Sequence, residues 1–176
     1  DAEKTFDVSA DLQELAQTPV TVISAGPKAI LDLPKTLQVL ETLGVPVVTF
    51  GQDELPAFWS RSSGLRSPIR MNSAEEIARS QLIREALSIP GGQLVANPIP
   101  AYAEIPFQEI LPIIKKAHLE ANKENISDKN LTPFLLEKVF NLTDGASLNA
   151  NIELVKNNAS LACKVASSLI TEKSRL

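Results

Sequence analysis

Residues 19–26, PVTVISAG, form a β-branched run that stops at a glycine; residues 36–44 then place leucines at helical spacing before a second glycine; residues 46–50, PVVTF, are apolar again. Strand, helix and strand in that order predict a β-α-β unit with parallel strands and a right-handed crossover. Such a unit is at home in an α/β sheet, so this stretch restricts the architecture more than any other. Residues 93–97, QLVAN, follow Gly91-Gly92 and run into Pro98-Ile99-Pro100, which predicts a further buried strand ending at a rigid corner.

Residues 51–68 are rich in Gly, Pro and Ser yet carry Phe58 and Trp59, a composition that suits an ordered surface loop over a cleft. Ser73 opens SAEEIARSQLIREAL with Glu76 three residues on, a capping box, and Ile77, Leu82, Ile83 and Leu87 supply its expected apolar face. Helical patterns follow over 107–121 and over 132–142, the latter with Thr132 as N-cap and Pro133 at the first helical position. The last helix is expected to begin near Ser147. Its residues Leu148, Ile152, Val155, Ala159, Ala162, Ala166 and Leu169 read as one long stripe buried against the rest of the chain. A length of 176 residues fits a single domain over 1–176.

Composition removes several classes of function. The net charge is 17 − 21 = −4 with the basic residues scattered, so no footprint for a nucleic-acid polymer is present. No stretch approaches the roughly 20 apolar residues of a membrane helix, and DAEKTFDVSADL lacks the layout of a signal peptide. Cys163 and His118 are the single residues of their kinds, too few for a structural zinc site. A Ser-His-Asp device would have to run through His118, which Leu111 and Ile114 precede at helical spacing. Chemistry in this chain falls to lysine and carboxylates.

Three constellations could carry it. Lys28 follows the first strand through Ala25-Gly26-Pro27, at the carboxyl end of a parallel strand, where ligand crevices of open α/β sheets form. There it is either a solvated surface lysine or an amine nucleophile for a carbonyl carbon. In FDVSADL, Asp7, Ser9 and Asp11 could hold a hard divalent cation or a polyol through oxygen, or serve as turn and capping residues. Asn151, with Asn149, Asn157 and Asn158, flanks the apolar stripe of the last helix, half-buried and in need of partners from a ligand or from backbone.

The blocks FDVSADLQELAQTPVTVISAGPKAILD, TLQVLETLGVPVVTF, ANPIP, TPFLLEKV and GASLNANIELVKNNA, in this order, resemble the pseudouridine-5′-phosphate glycosidase family, also called indigoidine synthase A-like. The resemblance runs from Phe6 to about Ala166. It implies a three-layer α/β/α fold with a largely parallel sheet, a homotrimer, and reversible cleavage of pseudouridine 5′-phosphate to uracil and ribose 5-phosphate with a divalent metal, usually Mn2+. Lys28 then matches the covalent nucleophile, Asp7 the metal ligand, Ser9, Ala10 and Asp11 the substrate-contacting stretch, and Asn151 the asparagine of the SL-x-x-NI block.

Ala29 stands where the family commonly has serine, and Pro27 directly precedes the lysine. Family members carry roughly as many residues again before FDVSADL, among them an acidic proton donor, so the chain is expected to be a C-terminal portion of such an enzyme. A class I aldolase-like enzyme and a non-catalytic sugar-phosphate binding module are the rival readings. The tripeptide Ser174-Arg175-Leu176 matches a peroxisomal import signal, or is a solvated tail; it predicts the peroxisome if Leu176 is the natural terminus of a eukaryotic protein, and the cytoplasm otherwise.

Overall fold

The structure, a computed structural model, describes residues 10–28, 32–127 and 130–174. Among these, four strands form one parallel sheet: β1 (Thr21–Ser24), β2 (Val47–Phe50), β3 (Ile69–Met71) and β4 (Gln93–Ala96), in the order β1-β4-β2-β3. The sequence pattern pairs β1 with β2; instead β4 lies between them, Val22 opposite Leu94 on one side and Val48 opposite Val95 on the other. Burial explains the insertion. Every residue of β4 is buried, as a central strand of a parallel sheet requires, whereas β1 is half-buried along its length. The short β3 is exposed at Ile69 and Arg70 and carries too little apolar pattern to be read from sequence.

Helices α1 (Ala10–Gln17) and α2 (Leu33–Thr42) cover one face, where Leu15, Leu40, Val47, Leu94 and Ala96 share a cluster. On the other face, Ala74 and Ile77 of α3 (Ala74–Ala86) and Leu161 and Val165 of the long α6 (Ala146–Lys173) meet Val48 and Val95. This is the three-layer α/β/α arrangement. A third cluster caps the carboxyl ends of β1 and β4: Ala25, Trp59 and Ile99 pack with Ile110 of α4 (Phe107–Lys123), Leu135 of α5 (Leu131–Leu142), and Ala150 and Leu154 of α6. No helix among the described residues is long and apolar enough to cross a membrane.

Side-chain caps fix two of the helix starts. Asp32 accepts from the Lys35 amide at 3.1 Å with Pro34 in the first turn, so α2 begins three residues before its leucine spacing does. Ser73 accepts from the Glu76 amide at 3.1 Å, while the Glu76 carboxylate reaches the amide of Asn72 at 2.6 Å. Of the expected apolar face of α3, Ile77 and Leu82 are buried but Ile83 and Leu87 are exposed. Arg84 turns inward in their place, its guanidinium donating to the carbonyls of Pro90, Gly91 and Gly92. Helix α5 starts at Leu131, so Thr132 and Pro133 lie within its first turn, where a missing N–H leaves no helical bond unmade.

The stripe assigned to the last helix points the wrong way. Leu148, Ile152 and Val155 are 48%, 45% and 57% exposed, and Ala159, Ala162 and Ala166 are exposed with them; only Leu169 is half-buried. The buried face is Ser147, Ala150, Leu154, Leu161 and Val165. Both faces are apolar, so periodicity cannot choose between them. Polar anchors do: the Asn157 amide donates to the Pro98 carbonyl at 3.0 Å, and the Asn97 amide donates to Asn158 Oδ1 at 3.1 Å.

Candidate functional site

The chain leaves β1 through a passage that only glycine allows. Gly26 has φ +86°, and a Cβ there would stand 2.1 Å from the carbonyl oxygen of Pro56. The Phe58 amide donates to the Ala25 carbonyl at 2.9 Å, and the Asn97 amide to the Ser24 carbonyl at 2.7 Å, so β1 is gripped on both sides as it ends. Lys28 emerges two residues later, half-buried, and no hydrogen bond or ion pair holds its side chain among the described residues. It stands where the sheet's strands end, a position suited to meeting a ligand.

The loop after β2 walls this exit and is not a mobile cover. Trp59 is 2% exposed, stacks edge-on with Phe58 at 5.1 Å, and donates from Nε1 to the Ser147 carbonyl at 3.1 Å. Ser60 Oγ donates to the Ile105 carbonyl at 2.6 Å, the Arg61 amide to Glu104 Oε1 at 2.8 Å, and the Arg61 guanidinium to the Ile99 carbonyl at 2.7 Å. The expected surface loop is thus fastened to the segment leaving β4. Sequence reading singled out neither Asn97, Arg61 nor Glu104. Long-range polar pairs leave no local period, and Asn97 before Pro98 is the one available hint.

Asp11 lies in the first turn of α1, exposed, inside the helix instead of capping it. Helix α1 leads into β1, and its Leu15 shares a cluster with Leu94 and Ala96 of β4. Asn151 is half-buried on α6, and its side-chain amide has no partner among the described residues. Its neighbour Ala150 packs in the same cluster as Ala25, three residues before Lys28. Lys28 and Asn151 therefore stand on two elements that meet at the end of β1. Asp7, Ser9, the side chain of Ala10, Ala29, Arg175 and Leu176 lie outside the described residues.

No group of three His, Cys, Asp or Glu side chains among the described residues could hold a metal ion, so the described donor set does not by itself fit a divalent cation. Glu153, two residues from Asn151, is no substitute for a proton donor. The Lys156 ammonium and then the Tyr102 hydroxyl, each bonded to it at 2.7 Å, hold its carboxyl below the ordinary range and keep it ionised at neutral pH. A groove of about 470 Å³ lies between the start of α3 and α6, lined by Phe50, Ser73, Glu75, Lys164 and Ser168, and neither Lys28, Asp11 nor Asn151 lines it.

The family model for indigoidine synthase A-like protein matches residues 1–168. A pseudouridine-5′-phosphate glycosidase of Paracoccus denitrificans is 61% identical over 170 residues, 97% of this chain and 56% of that protein. One of a Jannaschia species is 63% identical over the same shares. The chain thus spans about half the length of the curated relatives it matches. Among solved structures, the prealnumycin C-glycosynthase AlnA in complex with ribulose 5-phosphate superposes with TM-score 0.92 at 28% identity, over 99% of this chain and 58% of that one. An indigoidine synthase A-like protein of Thermotoga maritima superposes with TM-score 0.82 at 38% identity, over 91% and 53%.

Proposed function

Because the chain belongs to the indigoidine synthase A-like family, we propose that the protein cleaves the C–C glycosidic bond of pseudouridine 5′-phosphate to uracil and ribose 5-phosphate, with Lys28 as nucleophile. The observation that carries this reading is a lysine at the carboxyl end of β1, with the amide of Asn151 on the helix packed beside it, neither of them paired among the described residues. The glycosidase relatives and the ribulose 5-phosphate held by a C-glycosynthase of the same fold support the substrate class.

A carbon-linked base has no heteroatom leaving group to protonate, so simple oxocarbenium hydrolysis is a poor route. An amine provides another. The ring C1′–O4′ bond opens with a proton to O4′, and Lys28 Nζ bonds C1′ with loss of a proton. Its lone pair then forms the C=N bond as the C1′–C5 bond breaks and uracil C5 takes a proton. Water hydrolyses the iminium, releasing ribose 5-phosphate and the free amine, so one water is consumed per turnover. Asn151 and Asp11 would hold sugar and phosphate oxygens, with Ser9 and Ala10 beside them. The same proposal gives Asp7 a divalent cation, Mn2+ by resemblance, which when bound would offset phosphate charge. It also includes the homotrimer.

The test uses the complete protein. Borohydride added with ribose 5-phosphate should fix a covalent adduct on Lys28, detectable by peptide mass, and Lys28→Ala should abolish turnover with the fold intact. Full turnover in Lys28→Ala sinks the assignment. Turnover of simple aldol substrates in place of pseudouridine 5′-phosphate favours an aldolase-like enzyme, and binding without any turnover favours a sugar-phosphate binding module.

A further inference from the structure

Asn158 lies seven residues after Asn151 on α6, two turns on, so the two side chains leave the helix on the same face about 10 Å apart along its axis. Asn158 Oδ1 accepts from Asn97, which is 4% exposed and whose own backbone amide donates to Ser24 at the end of β1. Asn157 donates to the carbonyl of Pro98 beside it. One turn before Asn151, the Ser147 carbonyl accepts from Trp59. Asn151 is therefore bracketed by two fixed points, both anchored to the segments that leave β1, β2 and β4.

The bracket matters because α6 has a second apolar face. Leu148, Ile152 and Val155 are larger than Ala150 on the buried side, and burying them would require turning the helix about its axis. Each residue occupies about 100° of the helix, so a turn of one position would replace Asn151 by Ile152 or Ala150. Leu154, Leu161 and Val165 bury their side chains in the observed rotation, while near Asn151 the buried residues are only Ser147 and Ala150. There the hydrogen bond to a buried asparagine adds to the preference, since Asn97 would otherwise keep an unmade bond.

We propose that Asn158, paired with Asn97, is a positioning residue that fixes the rotation of α6 and so aims Asn151 at the ligand of Lys28. The inference rests on the reading of Asn151 as a substrate contact. If Asn158 acts through Asn151, the two losses overlap.

The test is a double-mutant cycle on the complete protein, read as the Kd of ribose 5-phosphate, with turnover of pseudouridine 5′-phosphate measured separately. Asn151→Ala and Asn158→Ala should each weaken binding by about tenfold, and the double variant should be no weaker than Asn151→Ala alone. Asn158→Asp keeps the acceptor and should retain wild-type affinity, while Asn158→Gln displaces it and should lose affinity; these two carry the test if Asn158→Ala does not fold. A double variant weakened by about a hundredfold, or loss of affinity in Asn158→Asp, overturns the proposal. Ligand binding with the expected cycle but no turnover leaves the pin standing and defeats the glycosidase reading. A protein that does not bind ribose 5-phosphate defeats both.

Discussion

Glu54 shows how one side chain can shape the site from a distance. Its carboxylate accepts from the hydroxyl of Ser62 and from the amide of Gly64, closing the loop that brings Pro56 against Gly26. The Ser62 hydroxyl, and next the Gly64 amide, pull its carboxyl below the ordinary range. A lowered carboxyl value stabilises the fold fully above the unfolded value of about 4.3, and the contribution is lost as pH falls through the lowered folded value. Glu54→Gln should therefore melt below wild type at neutral pH, the gap closing as the medium is acidified into that range. Thermal unfolding followed across the pH series checks this, and a gap that widens on acidification would contradict it.

Among the elements, β1, β2 and β4 were legible because β-branched runs bounded by glycine and proline carry their own signal, and α3 because its cap is local. Strand order was not, since pairing β1 with β4 joins residues far apart in sequence. The end of β1 was legible as a place for chemistry; the fastening of the Trp59 loop to α6 and to the exit of β4 was not. Helix α6 was read on the wrong face because its exposed stripe repeats as regularly as its buried one. The correction has a measurable form. Leu154→Ala should cost about 2–5 kcal/mol of stability, while Ile152→Ser and Val155→Ser should each change it by no more than about 0.5 kcal/mol. Denaturant midpoints of the three variants separate the faces, and equal losses would restore the discarded orientation.

At the scale of the molecule, the sheet presents the end of β1 to a roof built from α4, α5 and the first turns of α6, and Trp59 is the peg joining sheet and roof. It is also the chain's single tryptophan. An indole so enclosed emits in the blue and shifts to the red when water reaches it, so fluorescence from this chain reports on one place without a label. Unfolding should redden the emission in one step. Ligand bound at Lys28 should change its intensity with no shift toward the red, which turns the architectural peg into an optical gauge for titrating any candidate ligand.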